Sequence, residues 1–186
     1  MNPSGALLFV SRCYHDHVST GTLISVEDYL NTSFSPDCHY VGGALVERNG
    51  GEKEHGRIQR ALIRYLAKYR SAGLEAWPEQ RIQISPDHYR VVDVCITEGE
   101  PEGQIFVEPP LVCIEILSRN DTLDQLQEVI DDYAKIGVPY IWIINPWKHI
   151  AYVGSPAGFE RVSDGIFRTA SPHPDVMIPL DELYSL

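Results

Sequence analysis

Glu115 stands inside the apolar run Pro110-Leu111-Val112-Cys113-Ile114-Glu115-Ile116-Leu117, where a core strand has no ordinary use for a charge. A carboxylate is almost never buried unless a cation or a metal accompanies it, so the position implies a partner. About twenty residues earlier, Tyr89-Arg90-Val91-Val92-Asp93-Val94-Cys95-Ile96 repeats the pattern of one acid within an apolar strand. Alternate residues share a face of a strand, which groups Asp93 with Val91 and Cys95, and Glu115 with Cys113 and Leu117. Two such acids on neighbouring strands, turned the same way, suit a hard divalent cation such as Mg²⁺ or Mn²⁺, which takes one or two carboxylates plus the phosphate oxygens of a substrate. The alternative for either acid is a strand edge facing water, or half of a buried ion pair with an arginine such as Arg90 or Arg81.

No other catalytic vocabulary competes with this pair. The chain has no Walker loop, no G-x-G-x-x-G, no G-x-S-x-G elbow and no H-E-x-x-H among its seven histidines. The four cysteines form no C-x-x-C pair and read as reduced thiols, two of them in core strands, as in a cytoplasmic protein. Ala6-Leu7-Leu8-Phe9-Val10 is too short to span a membrane and follows no positive run, so neither a signal peptide nor a membrane anchor is expected.

The elements that must position the acids can be read from periodicity. Residues 1–22 form an irregular lead-in, and 23–186 are long enough for one domain with its own core. Ser25-x-x-Asp28 marks the start of a short helix, and His39 to Arg48 reads as a hairpin around Gly42-Gly43. The longest helix runs from Lys53 to about Ala72, with Gly73 just past its end and Ile58, Leu62, Tyr65, Leu66 and Tyr69 as its inward stripe. A strand from Glu79 to Ser85 turns into the Asp93 strand, and a Gly/Pro/Glu-rich loop precedes the Glu115 strand. Asn120-Asp121 can cap a helix to about Ile136 with Leu123, Leu126, Ile130 and Tyr133 inward, and the all-apolar Tyr140–Asn145 reads as a central strand. A further strand covers His149 to Val153. This order predicts an α/β (α+β) fold, a central mixed sheet flanked by helices.

The formal net charge of −11 excludes a protein that grips nucleic acid by its overall field. Any contact with a polyanion must be local or bridged by metal. The long helix offers one local source, since Lys53, Arg57, Arg60, Arg64 and Lys68 recur at spacings of three and four away from the apolar stripe. Arg57, Arg60, Arg64 and Lys68 are thus candidate phosphate contacts, against the plainer reading of a solvated helix face.

Taken in order, Tyr40-Val41-x-Gly43-x-x-Val46-Glu47-Arg48, Gly51-Glu52-Lys53-x-His55, Tyr89-Arg90-Val91-x-Asp93-Val94, Pro109-Pro110-Leu111-Val112-x-Ile114-Glu115-Ile116-Leu117-Ser118 and Asp131-Asp132-Tyr133-x-x-x-Gly137-Val138-Pro139-Tyr140-x-Trp142 resemble the Uma-two family, a restriction-endonuclease branch of the PD-(D/E)xK nuclease superfamily. The resemblance runs from about Leu23 to the C-terminus. It implies a restriction-endonuclease-like core and a metal-dependent endonuclease that hydrolyses phosphodiester bonds of DNA. Asp93 and Glu115 would be the catalytic acids and the ligands of Mg²⁺ or Mn²⁺. His55 and Glu47 match family positions that can reach the site from one side, and a homodimer is compatible with how many nucleases of this fold cut both strands. Two departures stand out. Val92 replaces a usual proline, and the helix position that carries the family's basic residue is Val129, with Lys135 on a different face. The alternatives left open are a degenerate nuclease fold that binds nucleic acid or a protein partner without cutting, and a small-molecule phosphodiesterase or unrelated metal-binding domain.

Overall fold

The computed structural model describes residues 23–35, 37–48 and 52–185; the lead-in expected over 1–22 lies outside them. The element that organises the sheet is the long strand β4 (His88–Glu98), buried along nearly its whole length. One edge of β4 pairs antiparallel with β3 (Leu74–Ser85) from Glu98 to His88. Its other edge is shared. β1 (Cys38–Val41) takes His88 and Tyr89, whereas β5 (Val112–Ile116) takes Val94, Cys95 and Ile96. Residues 90–93 therefore lie between two strands on an edge that neither covers.

Beyond β5 the sheet continues through β6 (Tyr140–Asn145), β7 (Ile150–Ser155) and β8 (Gly158–Arg161), and β2 (Ala44–Glu47) closes the far side on β1. Among the described strands only β5 and β6 run parallel, joined through helix α3 (Leu123–Lys135); the remaining strand pairs are antiparallel. The mixed sheet expected from the sequence is thus present, and the all-apolar Tyr140–Asn145 lies within it, covered on both faces.

The two helices pack on opposite faces. Ile58, Ala61, Leu62 and Leu66 of α2 (Lys53–Leu66) meet Val94, Ile96, Val112, Ile114 and Ile116. Leu126, Ile130 and Tyr133 of α3 meet Cys95, Cys113, Ile141 and Ile143. Each fully covered aliphatic side chain contributes about 1.5–3 kcal/mol, so these stripes dominate the attachment of both helices. Gly154 on β7 is required by the second contact, because a Cβ there would come within 2.9 Å of the Ile130 side chain.

Several expected boundaries move. The long helix tightens to a 3₁₀ turn over Ala67–Ala72 before Gly73 ends it in the left-handed region at φ 80°. The start of α3 is set by Thr122, whose side chain accepts from Gln125 N–H while Gln125 returns to the Thr122 backbone, so Asn120 and Asp121 precede the cap. Leu123 at the first helical position is 69% exposed rather than inward. The strand before β4 begins at Leu74, earlier than Glu79, because Leu74 to Pro78 pair with Glu98 to Val94.

The C-terminal region forms elements that carry no clear periodic signal: the hairpin β9 (Ile166–Arg168) with β10 (Met177–Pro179), then α4 (Leu180–Ser185). Phe167 stacks on Trp142 with ring centres 4.7 Å apart, and Tyr69 fastens the hairpin to the 3₁₀ turn through both backbone groups of Met177. At the other end, Tyr29 of α1 (Val26–Leu30), Tyr40 and Tyr89 form a separate aromatic cluster. No described helix is long and apolar enough to cross a membrane.

Candidate active site

The uncovered stretch of β4 opens a cavity of about 160 Å³ that holds both predicted acids. The β4–β5 register, Cys95 opposite Cys113 and Val94 opposite Ile114, sets Asp93 opposite Glu115 one step further along. The strand alternation does not survive intact. Val92 packs on the α3 side and Val94 on the α2 side, although they are two residues apart, so the phase breaks at Asp93. Across the other edge Glu79 lies opposite the break, between the pairs Pro78–Val94 and Gln80–Val92, with φ at +51°. A non-glycine residue in that region costs about 1–3 kcal/mol and persists only where its surroundings hold it.

What holds it is a polar network centred on Asp93, which is only 3% exposed. Arg48, just past the end of β2, donates one terminal nitrogen to Asp93 Oδ1 and the other to Glu79 Oε2. Gln59 on α2 donates to Glu79 Oε1 at 2.5 Å and to the Asp93 carbonyl at 3.0 Å. Asp93 Oδ2 accepts from His55 Nε2 at 3.1 Å and from the Ile116 N–H at 2.8 Å. His55 and Gln59, one turn apart, thus face the site from the same side of α2. Burial pushes the Asp93 carboxyl up, but the His55 hydrogen bond and the Arg48 and His55 charges outweigh it and hold the group below the usual range. His55 moves the opposite way: burial lowers its pKa, but the hydrogen bond and charge of Asp93 outweigh that and raise it.

Glu115 is the complement of Asp93. Burial, then the adjacent Asp93 charge, push its carboxyl well above the ordinary value. Its Oε1 accepts from the Tyr133 hydroxyl at 2.5 Å, a bond that reaches across from α3. The pair is therefore divided, with Asp93 ionised and Glu115 tending to keep its proton, as expected of two close carboxylates short of positive charge.

Five carboxylates and two guanidiniums line the cavity. Glu47 and Val129 are both on its wall, and His55 reaches it through Asp93. The arginines proposed as ion-pair partners of the acids do not serve. Arg90 is bound to Asp132 of α3, and Arg81 to Asp37 while lying over the Tyr29 ring. The arginine that pairs with Asp93 is Arg48, forty-five positions away in sequence, which no local pattern indicates. Where β1 leaves β4, the His39 ring fills the gap and its Nδ1 accepts from Val91 N–H at 3.0 Å. Burial, then the Arg90 and Arg48 charges, drive the His39 pKa well down, so it is a neutral acceptor.

The basic stripe on α2 is divided. Lys53, Gly56, Arg57 and Arg60 line a shallow groove beside the His55–Gln59 face, and nothing stands within 4 Å of where a Gly56 Cβ would be. Arg64 is exposed further along the helix. Lys68 folds over the Tyr65 ring at 3.6 Å and is the least available of the four.

The chain is thus a mixed sheet with helices on both faces and two acids on adjacent strands beside the uncovered stretch of β4. Its likeness extends to a solved structure from Anabaena variabilis ATCC 29413, titled as a putative nuclease belonging to DUF820, with a TM-score of 0.72 at 20% identity over 87% of this chain and 98% of that one. Residues 26–164 match the model of the Uma2 family, described as "Putative restriction endonuclease", and the chain belongs to that family. No curated protein matches it.

Proposed function

We propose that the chain is a metal-dependent endonuclease that hydrolyses phosphodiester bonds of DNA, with Asp93 and Glu115 as catalytic carboxylates and Mg²⁺ or Mn²⁺ as the ion they hold. The observation that carries the reading is the pair itself: two adjacent carboxylates in a cavity with an excess of negative charge. Among the described residues no three of His, Cys, Asp and Glu form a metal cage. A two-carboxylate site is what Mg²⁺ suits, since it leaves positions for water and substrate phosphate. Bound there, the ion would polarise a phosphoryl oxygen and lower the pKa of a water.

The chain's own groups supply orientation. His55 and the Ile116 N–H fix Asp93 Oδ2, and Tyr133 fixes Glu115. In the reaction the oxygen of water bonds to phosphorus as one ester P–O bond breaks, and the water's protons pass to the leaving oxygen and to solvent. Lys53, Arg57 and Arg60 offer contacts for phosphates flanking the scissile one, which an acidic chain needs locally. A second reading, a nuclease fold that binds nucleic acid or a protein partner without cutting, is favoured by the uncharged Val129 on the cavity wall.

Purified protein incubated with supercoiled plasmid in Mg²⁺, Mn²⁺ or EDTA separates the two. Relaxed or linear product that needs the ion, and that disappears in Asp93→Asn and Glu115→Gln, is the expected result. Plasmid left intact at every ion concentration moves the chain to the non-cutting reading.

A further inference from the structure

Val129 brings no charge to the cavity, yet two guanidiniums line it, and they are engaged differently. Arg90 is turned to Asp132, with contacts of 2.7 and 2.6 Å. Arg48 is turned to Asp93 itself, its side chain only 12% exposed. The Arg48 fork is divided between unequal partners: Asp93 is buried, whereas Glu79 is 44% exposed. Contacts of the second kind contribute at most about 1 kcal/mol, so the solvent-side hold is easily released.

We propose that Arg48 is the cationic group of this active site: it neutralises Asp93 while no divalent ion is bound, and turns to a non-bridging oxygen of the scissile phosphate once an ion takes the carboxylates. The inference rests on the metal-dependent reading above. Asp93 Oδ2 is occupied by His55 and the Ile116 N–H, so an ion approaching Asp93 must take Oδ1, the oxygen that Arg48 holds. Arginine and ion therefore compete for one atom. A displaced guanidinium stays in the same cavity, and its planar set of donors matches phosphate oxygens in pairs. It thereby supplies the positive charge that position 129 lacks.

Competition and catalysis make opposite demands on Arg48, and that contrast is the test. Mn²⁺ is titrated calorimetrically into the full chain as wild type, Arg48→Ala and Arg48→Gln, and plasmid cleavage in Mn²⁺ is timed alongside. Arg48→Gln keeps an amide donor for Asp93 and so serves if Arg48→Ala fails to fold, which circular dichroism reports. With the competitor removed, the variants bind Mn²⁺ about tenfold more tightly. Without its charge they cut about a hundred- to a thousandfold more slowly. A purely structural arginine would weaken binding and cleavage together. Equal Mn²⁺ affinity in wild type and a folded variant, or cleavage at the wild-type rate, overturns the role of Arg48 and leaves the metal site standing. No Mn²⁺ binding by any of the three proteins overturns the metal reading, and this role with it.

Discussion

The Tyr133 hydroxyl donates to Glu115 Oε1 at 2.5 Å, tying helix α3 to the strand that carries the second acid. Tyr133 is fully buried, and its hydrogen bond favours the ionised Glu115 carboxylate more than the nearby Arg48 charge does, so the hydroxyl is the main group that steadies it. Tyr133→Phe keeps the ring packing and removes only that donor. It should cost about 1–3 kcal/mol in urea unfolding and weaken Mn²⁺ binding severalfold by calorimetry. Unchanged values for both would make the bond incidental.

Stability should fall as pH rises through neutrality when no divalent ion is present. Glu115 and His55 both have folded pKa values above their unfolded ones, so between those values the folded state holds more protons. Each such proton lowers stability by about 1.4 kcal/mol per pH unit across its window. For His55 the stabilisation is complete below its unfolded pKa and is lost as pH rises through the folded one. Asp93 acts only in acid: its contribution is present above its unfolded pKa and disappears as pH falls through the depressed one. Thermal melts from pH 5 to 9 in EDTA should slope downward, and Glu115→Gln should flatten the slope. A rising melting temperature across that range contradicts the assignment.

The four candidate phosphate contacts, Arg57, Arg60 and Arg64 on α2 and Lys68 on the 3₁₀ turn after it, should not contribute equally to DNA binding. Replacing Arg57 or Arg60, which share the groove with Lys53, should reduce the salt slope of binding by about one unit each. Lys68→Ala should leave it nearly unchanged, because Lys68 is folded onto Tyr65. Equal losses at all four positions would mean that the whole helix face lies along the backbone. A quadruple alanine variant with an unaltered slope returns the stripe to a plain solvated face.

Position 129 offers a gain rather than a loss. Val129 is partly covered on the cavity wall, so a lysine there can keep its charge near water. Val129→Lys should raise plasmid cleavage by about tenfold or more in Mg²⁺, and Val129→Ala should not. A folded lysine variant no faster than wild type, with Mn²⁺ still bound, counts against a vacant cationic position.

The acids, the two flanking helices and the central strand were legible in the sequence because burial periodicity is local: an acid in an apolar strand and a stripe at 3.6 residues announce themselves within ten or fifteen positions. The ordered family motifs added the placement of Glu47, His55 and Val129 around the acids, and the structure sets all three at or against the cavity. Other features depended on how distant segments meet. Phase counting put Asp93 on the face of Cys95 and could not foresee the break between Val92 and Val94, which follows from a strand that serves β3 along one edge and β1 and β5 along the other. The choice of Arg48 over Arg90 or Arg81 as the partner of Asp93 was equally hidden. All three are arginines in or beside strands, and Arg48 reaches Asp93 from the end of β2, which is joined to β4 only through the pairing of β1 with both. Side-chain periodicity records which residues leave water, whereas the identity of a buried charge's partner is set by long-range strand pairing, to which no local pattern is bound.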